Sequence, residues 1–125
     1  MATDIRILIL EDNPNDAELM QFELKRAGLS FSSEVVETRE AYENALTTFK
    51  PDIILSDNSL PSFDAITAFE IKQNKSPNTP FIIVSGTKDE NADELIKNGI
   101  DAFTLKDEIF TLAPVITQTL KRAEG

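Results

Sequence analysis

Asp57 closes the run Asp52-Ile53-Ile54-Leu55-Ser56-Asp57, and Glu11 and Asp12 follow a second apolar run, Ile5-Arg6-Ile7-Leu8-Ile9-Leu10. Three carboxylates gathered from two strand ends repel one another by about 4 kcal/mol per pair at about 4 Å and an effective dielectric near 20. A hard cation resolves that conflict. Mg²⁺ suits it, because this ion takes a few carboxylates and keeps water and phosphate oxygens as its other ligands. Two more apolar runs end in residues that carry chemistry: Phe81-Ile82-Ile83-Val84 leads into Ser85-Gly86-Thr87, and Ile100 to Leu105 leads into Lys106-Asp107. An attacking carboxylate, a metal and an ammonium to neutralise transferred oxygens, and a hydroxyl to donate to them are the parts of a phosphoryl-transfer site. Taken singly, each residue has a plainer reading as a solvated turn, a helix N-terminus or a surface lysine. Their recurrence at successive run ends favours the site.

The chain contains no Cys and no His. That removes thiolate nucleophiles, Cys or His zinc sites, imidazole bases and the Ser-His-Asp triad. A formal net charge of -10 disfavours a primary nucleic-acid surface, which needs clustered Lys and Arg. With 125 residues and 41% hydrophobic content, the chain fits one globular domain with a single core. No apolar run approaches the roughly 20 residues that span a bilayer, and Met1-Ala2-Thr3-Asp4 lacks the regions of a secretory signal. A cytoplasmic protein with no membrane partner is expected. Glu124-Gly125 has no structural role legible from sequence, which is compatible with one domain excised from a longer protein.

The elements that must position these residues alternate between short apolar runs and helix-period segments, a rhythm that predicts an α/β fold with a parallel sheet. Ile5 to Leu10 reads as a strand buried on both faces. Asn13-Pro14 opens a helix with a buried stripe of Ala17, Met20, Leu24 and Ala27, stopped by Gly28. Ser33 to Glu37 is a poorer strand, expected at an edge. Tyr42, Ala45, Leu46 and Phe49 mark a second helix ended by Pro51, and Asp52 to Ser56 is the third strand. Ala65, Ile66 and Phe69 mark a third helix, closed by the loop from Asn74 to Pro80, and Phe81 to Val84 is the fourth strand. Ala92, Leu95 and Ile96 give a short helix ending at Asn98-Gly99. Ile100 to Leu105 is the fifth strand, and Ile109, Leu112, Ala113, Ile116 and Leu120 form a last amphipathic helix finished by Lys121-Arg122. Right-handed crossovers leave few alternatives to a doubly wound, flavodoxin-like (βα)5 sheet. The order 2-1-3-4-5 sets the two most apolar early strands side by side. Its topological switch then falls where Glu11, Asp12 and Asp57 lie.

This ordered set, with Glu11-Asp12 after the first strand, Asp57 and Pro61 after the third, Ser85-Gly86 after the fourth and Lys106 after the fifth, resembles the CheY-like receiver domain of two-component response regulators. The resemblance covers essentially the whole chain, so residues 1–125 are expected to be a single receiver domain. It implies that Asp57 accepts a phosphoryl group from a phosphohistidine on a sensor histidine kinase or phosphotransfer protein, which fits a chain lacking His. It implies Mg²⁺ bound directly by Asp12, through water by Glu11, and by Asp57 and the Ser59 carbonyl. Lys106 would pair with the phosphoryl oxygens and Ser85 would move to meet them. Phe103 occupies the aromatic switch position. The surface of the Ala92–Ile96 helix, the fifth strand and the last helix would be read by a downstream protein or a fused output domain. Such a chain catalyses only its own phosphorylation and dephosphorylation.

Four positions depart from the family pattern. Asp107 follows Lys106 where Pro is usual, so the accompanying cis bond is expected to be absent, since cis costs about 2.5 to 4 kcal/mol without Pro. Ala65 replaces a common Gly, Gly86 a common Ala, and Phe103 a frequent Tyr. Asn58, Ser59 and Thr87 line the mouth, and in this family the positions of Ser59 and Thr87 influence phosphate lifetime. Rival readings fail on particular residues. A mononucleotide binder would need a Gly-rich phosphate loop after the first strand, where Glu11-Asp12 repel phosphate. A haloacid dehalogenase phosphatase would carry a second Asp where Ser59 stands. The remaining alternative is a degenerate receiver that acts as a phosphorylation-independent interaction module.

Overall fold

Ile7, Leu8, Ile9 and Leu10 are fully buried at four successive positions of β1 (Ile5–Leu10). Successive strand residues face opposite sides of a sheet, so both faces here are covered. The computed structural model describes residues 4–58, 64–86 and 96–124. After β1 come α1 (Pro14–Arg26), β2 (Phe31–Val36), α2 (Arg39–Thr48), β3 (Ile53–Asp57), α3 (Ala65–Lys75), β4 (Phe81–Ser85) and β5 (Ala102–Leu105). A 3₁₀ turn (Lys106–Thr111) then leads into α4 (Leu112–Glu124). The strands pair in parallel in the predicted order β2-β1-β3-β4-β5, with β2 at an edge.

Two apolar layers sandwich the sheet. On one face Leu8, Leu10, Ile54 and Ile83 pack with Tyr42, Leu46 and Phe69 of α2 and α3. On the other, Ile7, Ile9, Ile53, Leu55 and Ile82 pack with Met20 and Leu24 of α1 and Leu112 and Ile116 of α4. Each such side chain removed from water contributes about 1.5 to 3 kcal/mol, and the alternation of partners explains why β1, β3 and β4 carry consecutive apolar residues in their interiors. Tyr42 is fully buried, and its hydroxyl donates to the Ala68 carbonyl at 2.7 Å, joining α2 to α3.

Several boundaries differ from those read in the sequence. β2 begins at Phe31 because its register with β1 pairs Ile5 with Phe31. Ala27 is exposed at the cap of α1 and does not extend the buried stripe, since the chain turns away at Gly28, where φ is +86°. Ile66 is exposed on α3, where Ala65, Ala68, Phe69 and Ile71 take the inward positions. The last helix begins at Leu112: Ile109 belongs to the 3₁₀ turn, which Glu108 interrupts with non-helical φ -115° and ψ 36°. Ala92 and Leu95 lie outside the described residues, and Ile96 is exposed.

Candidate functional site

Strand register brings the chemistry to one edge of the sheet. The β1–β3 pairing ends at Leu10 and Ser56, β3–β4 at Asp57 and Val84, and β4–β5 at Ser85 and Leu105. Glu11, Asp57, Ser85 and Lys106 therefore emerge together at the carboxyl ends of four adjacent strands. Glu11 continues the ladder one residue past β1, its N–H donating to the Val36 carbonyl at 3.0 Å. This holds the side chain under the surface, with Glu11 only 2% exposed. The Asn58 N–H donates to Asp57 Oδ1 at 2.9 Å and fixes the orientation of that half-buried carboxylate.

Lys106 is the centre of the arrangement. Its Nζ donates to Glu11 Oε1 at 2.6 Å and to Asp16 Oδ2 at 2.7 Å, and lies 3.5 Å from Asp57 Oδ1. The Lys106–Asp107 bond is trans, as are all peptide bonds among the described residues. The lysine nevertheless reaches the carboxylates from the start of the 3₁₀ turn. Burial acts to lower the ammonium, but its hydrogen bonds to Asp16 and Glu11 and the nearby charges of Glu11 and Asp57 outweigh it, holding Lys106 above the ordinary lysine range. The Glu11 carboxyl moves the other way from a typical ion-paired acid. Burial pushes it up to about 7, assisted by Asp57 and opposed by Lys106.

The fit of these residues to a cation follows from their own geometry. One carboxylate oxygen from each of Glu11, Asp12 and Asp57 lies within 4.8 Å of the others. Glu11 Oε2 is buried with no hydrogen-bond partner among the described residues. Such an orphaned acceptor costs about 1 to 3 kcal/mol, more when charged, and a divalent ion beside it would remove that penalty. The donor set is all oxygen, which suits Mg²⁺. Ser59, expected to add a carbonyl, lies outside the described residues, as do Pro61 and Thr87.

The other expected residues are placed as follows. Ser85 is 3% exposed at the end of β4. Phe103 is half-buried and packs against the α2 and α3 layer. Ala65 is fully buried in the first turn of α3, capped by Asp64, whose side chain accepts from the Thr67 N–H at 2.8 Å, so this turn forms without glycine. Gly86 is exposed, and a methyl group there would meet nothing within 4 Å among the described residues. Asp16 escaped the sequence reading. The signal was available: Asn13 caps α1 by accepting from the N–H groups of Asn15 and Asp16, which puts Asp16 in the first helical turn, directly after the Glu11-Asp12 strand end.

Comparison with known proteins agrees with this geometry. The family model for the response regulator receiver domain matches residues 7–112, and the chain belongs to that family of two-component signalling domains. A protein-glutamate methylesterase/protein-glutamine glutaminase of Archaeoglobus fulgidus is 29% identical over 122 residues, covering 94% of this chain and 34% of the relative. An uncharacterized transcriptional regulatory protein of Bacillus subtilis, YvcP, is 29% identical over 123 residues, 96% of this chain and 50% of that protein. The chain thus spans a third to a half of these relatives. In fold, it matches a CheY-like response regulator receiver domain protein from Methanospirillum hungatei with a TM-score of 0.84 at 22% identity, covering 98% of each chain. Among the described residues, no helix is long and apolar enough to cross a membrane.

Proposed function

We propose that this chain is a single cytoplasmic receiver domain in which Asp57 accepts a phosphoryl group from a histidine kinase or phosphotransfer protein, in a Mg²⁺-dependent reaction that switches a partner-binding face. The observation that carries this reading is the position of the Lys106 ammonium, 3.5 Å from Asp57 Oδ1, beside the clustered carboxylates of Glu11, Asp12 and Asp57. A Asp57 oxygen attacks the phosphorus in line. The new P–O bond forms as the P–N bond to the donor imidazole breaks, and the imidazole leaves on the donor protein. Glu11, Asp12 and Asp57, with the Ser59 carbonyl, would hold Mg²⁺, which would supply neutralisation of the transferred oxygens. Lys106 pairs with one of those oxygens, and Ser85 donates to another.

The modified Asp57 gains a charge of about -1.5 to -2, by analogy with other phosphorylated side chains. Movement of Ser85 and Lys106 toward that charge shifts the loop after β4 and the segment from β5 into α4, with Phe103 repacking between them. The reader of that shift is a separate protein or an output domain in the same polypeptide. The chain catalyses only its own phosphorylation and dephosphorylation. The buried Glu11 oxygen without a hydrogen-bond partner among the described residues supports this reading over a module that binds partners without phosphorylation. The test is intact mass after incubation with acetyl phosphate and Mg²⁺. A gain of roughly 80 Da, one phosphoryl group, is expected in the wild type and absent in Asp57→Asn. An unmodified wild type that also fails to bind Mg²⁺ with a fluoride phosphoryl analogue would sink the proposal.

A further inference from the structure

Lys106 has three N–H donors, and two of them are committed to carboxylates other than that of Asp57. Glu11 at 2.6 Å belongs to the cluster already described. Asp16, at 2.7 Å, does not: its carboxylate is not among the three oxygens grouped within 4.8 Å, and it comes from the first turn of α1. The helix N-terminus favours a negative charge at Asp16. The Asp16 contact is 0.8 Å shorter than the approach to Asp57, the difference between 3.5 and 2.7 Å. The ammonium is therefore held more closely by Asp16 of α1 than by Asp57, the residue it is to serve.

We propose that Asp16 is a positioning residue that holds Lys106 in reserve: it competes with Asp57 for the ammonium before phosphorylation and yields it when phosphoryl oxygens arrive. The inference rests on the reading of Asp57 as phosphoacceptor and adds to it a restraint on the rate. Charge-assisted contacts as short as those to Glu11 and Asp16 must loosen before Lys106 reaches a new partner beyond Asp57 Oδ1. The side chain of Asp16 is one-third exposed, so water can take over its hydrogen bond when Lys106 leaves. Transfer also releases a tie between α1 and the end of β5, linking charge at Asp57 to the seating of that helix.

The experiment is a double-mutant cycle on the rate of phosphorylation by acetyl phosphate at saturating Mg²⁺, read by intact mass. Asp16→Asn should accelerate phosphorylation roughly two- to fivefold, the range expected from releasing a partly exposed ion pair. Asp16→Glu should restore a rate close to wild type. In a Lys106→Met background, Asp16→Asn should have no effect, because only competition for the ammonium couples the two positions. An acceleration that persists in Lys106→Met would show a general effect of removing negative charge and overturn the proposal. An unchanged or slower rate in Asp16→Asn with Lys106 present would also overturn it. Should Asp16→Asn misfold, Asp16→Ser carries the same expectations. A wild type that takes up no phosphoryl group refutes the phosphoacceptor reading and this inference together, whereas a wild type that is phosphorylated as fast as Asp16→Asn refutes the inference alone.

Discussion

Replacing Glu11 by Gln separates the acid's charge from its shape. The Glu11 carboxyl moves from an ordinary 4.5 up to about 7, first because it is buried. The native state therefore holds the proton more tightly than the unfolded chain. Stability from that proton is fully present below about pH 4.5 and is lost as the pH rises through about 7. Integrated between pH 5 and pH 8, the loss is roughly 2 to 3 kcal/mol for this single group. Gln has no proton to release, so Glu11→Gln should gain roughly 2 to 3 kcal/mol relative to wild type across the same interval. The assay is urea denaturation of both proteins at several pH values in the presence of a chelator, comparing midpoints at constant slope. Two stability curves parallel to within about 0.5 kcal/mol from pH 5 to pH 8 would refute the reasoning. Added Mg²⁺ supplies a second arm. It should stabilise the wild type at pH 8 more than Glu11→Gln, because the ion favours the ionised carboxylate that burial disfavours.

Two backbone positions give predictions about stability alone. Gly99 has φ +116°, and a Cβ there would sit 3.1 Å from Phe69 Cζ; Gly99→Ala should destabilise by about 1 to 3 kcal/mol by chemical denaturation. A neutral result would mean that Phe69 moves freely, contrary to its edge-on packing against Phe81 at a centroid separation of 5.6 Å. Lys50 has φ +52°, a left-handed conformation that costs a non-glycine residue about 1 kcal/mol. Lys50→Gly should therefore stabilise by about 0.5 to 1 kcal/mol, with the Arg6 side chain still donating to the residue 50 carbonyl.

The sheet order was legible because the interiors of β1, β3 and β4 are apolar on both faces, a pattern that only interior strands can sustain, while β2 carries Ser32, Ser33 and Glu34 and falls at the edge. Glu11, Asp12, Asp57, Ser85 and Lys106 were legible because strand ends in a parallel sheet share one rim, so sequence position translates directly into place. Other features depended on side-chain reach. Asp16 approaches Lys106 across a separation of 90 residues, and nothing in local periodicity reports such a contact. The same holds for Ile66 and Ala27, which fit a helical stripe by spacing yet are exposed. The helix start at Leu112 was obscured for a local reason. Ile109 and Leu112 have helical spacing in the 3₁₀ turn as well as in an α-helix.

β5 is four residues long and pairs with β4 alone among the described strands. Clamped along one side, as β2 is at the other edge, and the shortest of the five strands, it has fewer ladder hydrogen bonds to hold it than β1 and β3, which have neighbours on both sides. Its successive residues also engage different layers: Ala102 packs with the α1 and α4 side, and Phe103 with the α2 and α3 side. Lys106 hangs from the end of this strand, so a force on its ammonium acts on a lever whose two arms rest on opposite cores. Movement at the rim then needs no rupture of the central sheet.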